Sequence, residues 1–297
     1  VRLVDKVAAE TLAGGGKRLR PALVSISALA CDPAYDVQRA RRLGACMEMI
    51  HMATLIHDDV VDHAPTRRGS PTAAATCGST ASVLGGDVLL ARAMRLLAAD
   101  GDLEIIRLVA EAVVQMAEGQ VLELEARGNL DIGEAEHLAI VRQKTAIFIQ
   151  VCCEVGALVG SATPSQREAL GCFGHHAGMA FQLADDLLDY SGDPGSTGKG
   201  RATDFREGCA TLPLIRARGM LSQSRIARLR QWFGNGVADA DIQTLCMWLR
   251  EAGSLESVRR TAESHIEEAI LALKQIPSGE GRDLLTTVAR FVVARSC

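Results

Sequence analysis

Two stretches, HDDVVD at 57–62 and ADDLLD at 184–189, carry three aspartates each in the same spacing. On a helix, residues four apart share a face, so Asp58 and Asp62 would project together, with Asp59 beside them. Asp185, Asp186 and Asp189 repeat the arrangement. Each triplet ends an apolar segment, MEMIHMATLI before the first and AFQLA before the second. Carboxylates gathered at an apolar boundary repel one another, so a cation belongs among them. An oxygen-only donor set favours Mg2+, with Mn2+ as a substitute. Mg2+ held by one or two carboxylates completes its shell with waters and substrate phosphates. A di-iron centre would want Glu-x-x-His pairs on facing helices. Glu48 and His51 form one such pair, and no second stands at a matching site. For either cluster alone the competing reading is a solvated helix end; the matched pair argues against it.

A phosphate ligand needs positive groups. Lys17, Arg18 and Arg20 lie in AGGGKRLRP (13–21), a glycine-rich turn whose backbone N–H groups can also face an anion. Arg67 and Arg68 follow the first triplet. Lys144 precedes Thr145 inside the apolar run AIVRQKTAIFIQV, and Lys199 lies in SGDPGSTGKGRATDFREG (191–208). His51, seven residues before Asp58, falls on the same helix face. Taken singly, each cation reads as solvated surface and His51 as a satisfied core residue.

The elements that must position these groups are helices. Helix-period patterns cover about 22–31, 36–62, 79–99, 102–127, 134–160, 164–191, 210–219, 238–252, 255–275 and 280–296. Thr163, Pro164 and Gln166 form a start signal of cap, first-position proline and capping-box partner. Period-2 alternation between turn signals is absent, so almost no strand is expected. No fixed-period repeat, low-complexity tract or linker divides the chain. The expectation is an all-α protein with a single domain over 1–297.

Composition narrows the function. The chain has 297 residues, 48% apolar and 23% charged, with a net charge of -4 that gives no sign of a nucleic-acid binder. Nine scattered cysteines, odd in number and without C-x-x-C, read as reduced thiols of a cytoplasmic protein. No apolar run reaches the roughly 20 residues that span a bilayer, and no signal-peptide pattern opens the chain. The chain starts at Val1 rather than Met, which is compatible with a truncated N-terminus.

GGGKRLRP, HDDVVD with RRG, KT, FQLADDLLD and GKG-D-EG-ATLP occur in this order. Together they resemble the trans-isoprenyl diphosphate synthases, the polyprenyl synthetase family, from about residue 14 to the C-terminus. The resemblance implies a single large bundle of mostly antiparallel helices around a central cavity. It implies head-to-tail condensation of isopentenyl diphosphate with an allylic diphosphate, releasing pyrophosphate. It further implies about three Mg2+ per site, held by Asp58, Asp62, Asp185 and Asp189, with Asp59 and Asp186 in support. Arg67, Lys144 and Lys199 would then bind the allylic diphosphate. Gly16, Lys17, Arg20, His51 and Arg68 would bind isopentenyl diphosphate. Thr145 and Gln182 would set oxygen dipoles near the developing allylic cation.

One position departs from the pattern. The family's EGKxT segment reads EGCAT here, so Cys209 stands where a lysine helps to hold the allylic diphosphate. A thiol supplies no such charge, so weakened binding of the allylic substrate is expected, partly offset by Arg201 or Arg206 nearby.

Ile50 and Thr54 descend the helix below Asp58. In the family, bulky aromatics four or five residues before the first aspartate give short products. Here those positions are Thr54 and Ala53, which resembles the long-chain branch of about six to ten isoprene units, as in octaprenyl or decaprenyl diphosphate synthases. The tunnel floor is expected on helix 102–127, with Met116. A farnesyl or geranylgeranyl synthase, or a non-catalytic subunit of a heteromeric synthase, are the alternatives. A terpene cyclase fits less well, because 3% aromatic residues are few for a cation–π-lined pocket. The resemblance also implies a homodimer, and an apolar product implies transient membrane contact without a stable anchor.

Overall fold

The computed structural model describes residues 2–13, 16–67, 69–191 and 201–294. In chain order the helices are α1 (Arg2–Ala13), α2 (Leu19–Cys31), α3 (Val37–Val61), α4 (Ala73–Cys77), α5 (Ser79–Asp100), α6 (Leu103–Ala126), α7 (Glu134–Val141), α8 (Ile147–Val159) and α9 (Pro164–Ser191). After residues 192–200 come α10 (Thr203–Arg206), α11 (Leu212–Arg218), α12 (Gln223–Trp232), α13 (Asp239–Glu251), α14 (Ser254–Ala272) and α15 (Glu280–Ala294). The expected all-α architecture is the one found. Among the described residues the strands are β1 (Thr66–Arg67) and β2 (Ser70–Pro71), an antiparallel pair in which Arg67 faces Ser70.

α3 carries the first aspartate cluster. Its start is fixed by Asp36, whose carboxylate accepts the Arg39 N–H at 2.9 Å. Leu43, Met47 and Ile50 form a buried stripe where α3 packs against α2, α5 and α8. The helix stops because His63 turns left-handed (φ 50), and the Ala64 N–H reaches back to the Asp59 carbonyl at 3.0 Å.

α9 carries the second cluster and begins where the capping box requires. Gln166 Oε1 accepts the Thr163 N–H at 2.8 Å, and Thr163 Oγ1 accepts the Gln166 N–H at 3.3 Å. α9 then runs between α8 and α14 through the main core, which includes Phe148, Phe173 and Leu170.

α7 and α8 are one helix interrupted at Arg142–Ala146 by a wider, π-type turn. Two glycines clamp that turn. A Cβ on Gly119 of α6 would lie 2.8 Å from the Lys144 nitrogen, and one on Gly178 of α9 would lie 2.6 Å from the Ala146 Cα. The absence of side chains at these two positions lets α6 and α9 close on the turn.

A second apolar cluster, with Tyr190, Phe205, Leu229, Phe233 and Trp248, binds α10–α13 to the end of α9. The sequence patterns did not mark α1, α4, α10 or α12. α4 and α10 are short, and α12 buries Leu229 alone among its ten residues, which is too little for a helical stripe.

Candidate active site

Between α3, α6, the π turn and α9 lies a cavity of about 1050 Å3. Asp58, Asp59 and Asp62 line it from the last turn of α3, and Asp185 and Asp186 line it from α9. A helix C-terminus carries partial negative charge, so the first cluster sits where carboxylates are least favoured. Cations gather around it. Arg67 Nε donates to Asp59 at 2.7 Å, so the two-residue strand that carries Arg67 folds this cation back over the cluster. Arg127 Nη2 donates to Asp62 at 2.6 Å. Burial pushes the Asp58 carboxyl up to about 6, against the pull of Lys144 and Arg67. Asp62 and Glu123 add to the rise.

The Lys144 ammonium pairs with Glu123 of α6. Burial alone would lower its pKa, but the Glu123 and Asp58 carboxylates more than offset this and hold it protonated. The next residue, Thr145, donates its hydroxyl to Gln182 Oε1 at 2.9 Å, and Gln182 Nε2 donates to Asp186 at 3.0 Å. The other Asp186 oxygen lies 3.3 Å from His137 Nε2. Asp186 is 2% exposed, and this network supplies the partners its burial demands.

The remaining expected residues fall in different places. Arg20, His51, Ile50, Ala53 and Thr54 line the cavity. So do the apolar side chains of Val113 and Met116 on α6 and Leu90 on α5. Asp189 is outside the lining. Its two oxygens accept the N–H groups of Thr203 and Asp204, at 2.9 and 3.1 Å, and so cap α10. Lys17 is also outside it, with Nζ 3.9 Å over the Phe291 ring of α15. Gly16 is exposed, with φ 148, and Arg18 pairs with Glu48 at 2.8 Å. Arg68 and Lys199 lie outside the described residues.

α6 contributes groups that sequence reasoning missed. Gln120, Glu123 and Arg127 line the cavity at three- and four-residue steps and continue the face that Val113 and Met116 begin. That periodicity, apolar then polar along one helix face, was the available signal. Gln120 holds buried amide nitrogen and oxygen atoms without a protein partner, and so does Arg127 Nε. Such groups in a polar cavity await a ligand or water. His137 lies seven residues before Lys144 and was likewise unmarked.

Among the described residues, no three His, Cys, Asp or Glu side chains converge to hold a metal unaided. The donor set still fits Mg2+, which takes few protein oxygens and fills its shell from water and phosphate. Cys209 lines the cavity too, with burial pushing its thiol up to about 12, so it is neutral. Arg206 is turned away, donating to the Val237 carbonyl and to Asp239.

Comparison with known proteins agrees with this chemistry. The family model described as polyprenyl synthetase matches residues 1–247. The chain is 36% identical to octaprenyl diphosphate synthase of Escherichia coli over 297 residues, 99% of this chain and 91% of that one. Its fold is similar to the crystal structure of a decaprenyl diphosphate synthase from Rhodobacter capsulatus, with TM-score 0.93, 37% identity, and 99% and 90% of the two chains covered. It is equally similar (TM-score 0.93, 34% identity, 100% and 93% covered) to a polyprenyl synthase from Caulobacter crescentus complexed with calcium and isoprenyl diphosphate.

Proposed function

The chain belongs to the polyprenyl synthetase family, and on that premise we propose how, as a polyprenyl diphosphate synthase, it extends an allylic diphosphate with isopentenyl diphosphate to a long-chain product. The observation that carries the reading is one cavity with two faces. Carboxylates of α3 and α9 stand beside Lys144 and Arg67 at one end, and Ile50, Ala53 and Met116 add apolar lining, with the small Thr54 beside them.

Asp58, Asp62 and Asp185 would hold Mg2+ against the allylic diphosphate. When bound, the metal acts as a Lewis acid that stabilises the departing pyrophosphate. Lys144 and Arg67 add fixed positive charge where negative charge develops on the leaving group. Thr145 and Gln182, held together by their hydrogen bond, would set oxygen dipoles near the positive carbon chain that remains. Arg20 and His51 fit the second diphosphate, that of isopentenyl diphosphate. The apolar lining keeps water from the cation, and the double bond of the second substrate attacks instead. The proton then lost goes to the released pyrophosphate.

Small residues at 53 and 54 support a tunnel that accepts a long chain. A homodimer is supported by Leu84 on α5 and Leu103, Val114 and Val121 on α6, all at least half exposed. No described helix is long and apolar enough to cross a membrane. We place the enzyme in the cytoplasm, with transient membrane contact as the apolar product leaves.

The test is product length. The protein is incubated with Mg2+, labelled isopentenyl diphosphate and, separately, geranyl, farnesyl or geranylgeranyl diphosphate, and the dephosphorylated alcohols are separated. A ladder ending at about six units or more is expected. No incorporation with any primer would overturn the reading.

A further inference from the structure

The exit of α6 is tied to the segment that carries Cys209. The Gly128 N–H donates to the Gly208 carbonyl at 2.8 Å, and a Cβ on Gly208 would sit 3.3 Å from that nitrogen. Arg127 and Cys209 flank this junction and both face the cavity. Arg127 spends one N–H on Asp62 at 2.6 Å, while its Nε–H is buried with no protein partner. A guanidinium carries five donors in a fixed fork, so a group that binds Asp62 at one edge keeps donors for an anion at another. The neighbouring Cys209 thiol is a hydrogen-bond partner of the guanidinium, but it is neutral and offers no charge. Of the two other arginines near this segment, Arg206 is committed to Val237 and Asp239, and Arg201 is not among the residues that line the cavity.

We propose that Arg127 is a substrate-binding residue that bridges Asp62 and the allylic diphosphate, supplying from α6 the positive charge that position 209 lacks. The proposal rests on the functional reading above, which puts that diphosphate beside Asp58 and Asp62. A phosphate oxygen fits the open side of the fork because an arginine–phosphate pair is charge-assisted and directional. The arrangement makes α6 both the wall of the apolar tunnel and a clamp on the leaving group.

The test uses inorganic pyrophosphate as the probe, titrated calorimetrically with and without Mg2+, together with separate KM values for the two substrates. Arg127→Ala is expected to weaken pyrophosphate binding and raise the allylic KM by about ten- to a hundredfold, as for loss of one charge-assisted contact. The isopentenyl diphosphate KM should stay within about twofold. Arg127→Gln keeps hydrogen bonding without charge and should show most of the loss, which guards against a folding defect in the alanine variant. In Arg127→Ala/Cys209→Lys, a lysine grows into the same space, and pyrophosphate affinity should return. If wild type binds pyrophosphate and elongates while both Arg127 variants match it, Arg127 is no ligand. If the variants lose Mg2+ affinity alone, Arg127 merely positions Asp62 and the proposal also fails. If wild type neither binds pyrophosphate nor elongates, the functional reading itself is overturned.

Discussion

Replacing Gly119 with alanine adds one methyl group eight residues, or about 12 Å along the helix, before Arg127 and tests how the π turn is held. The new Cβ would stand 2.8 Å from the Lys144 nitrogen, 2.9 Å from the Gln143 Cβ and 3.1 Å from the Gln143 carbonyl carbon. Ordinary contact begins at 3.4 Å, so the turn must retreat by about 0.6 Å. It has little room to do so, because a Cβ built on Gly178 behind it already meets the Ala146 Cα at 2.6 Å. Overpacking against backbone of this kind costs about 1–3 kcal/mol. The functional loss should be larger than the stability loss suggests. Lys144 and Thr145 ride on the displaced turn, and a misplacement approaching 1 Å of such groups costs up to about a hundredfold in rate. The assay pairs urea denaturation with kcat/KM for chain elongation. Gly279→Ala, at an exposed glycine with nothing within 4 Å, serves as the control and should be nearly silent. Wild-type stability and turnover in Gly119→Ala would refute the argument that the glycine pair sets the turn.

Three further outcomes follow from the same geometry. Asp58 is harder to ionise in the folded chain, about 6 against an ordinary 3.8, so it costs stability as pH rises from about 4 through 6. Asp58→Asn should therefore stabilise the metal-free protein at pH 7.5 by up to about 2–3 kcal/mol, with the gain vanishing near pH 4 in thermal denaturation, while elongation is abolished. His176 and His265 meet Nδ1 to Nδ1 at 2.9 Å, and burial with the neighbouring imidazoles lowers His265 to about 4. The unfolded imidazole takes its proton first, so stability should fall as pH drops from 6.5 toward 4; His265→Gln should flatten that slope by about 1–2 kcal/mol, read by urea denaturation across pH. Ala53 is 2% exposed and lines the cavity, so Ala53→Phe should block the tunnel and shorten the product ladder, and an unchanged ladder would remove residue 53 from chain-length control.

Much of this was legible before any coordinates. α9 spans Pro164–Ser191, the same residues the periodic pattern marks, because its capping box and its apolar stripe are both local. α3 was likewise marked to within a residue, and its aspartates follow from the four-residue step of a helix. α1 and α12 escaped because their helical character comes from docking onto larger elements, α1 through Val4 and Val7. The π turn escaped because a helix-period run over 134–160 looks continuous whether or not one turn is widened.

The sequence by itself determined the chemistry: two aspartate triplets at helical spacing, cations nearby, small residues below the first triplet, and an all-helical chain to hold them. These are properties of residue type and of separations under about ten residues, which local geometry controls. Tertiary structure alone decided which groups meet across long separations. It brought Arg127 to Asp62, Glu123 to Lys144 and His137 to Asp186, and gave Asp189 to the cap of α10. Those pairings depend on how closely α6 and α9 approach the π turn, and that distance is set by the missing side chains of Gly119 and Gly178 rather than by any local pattern.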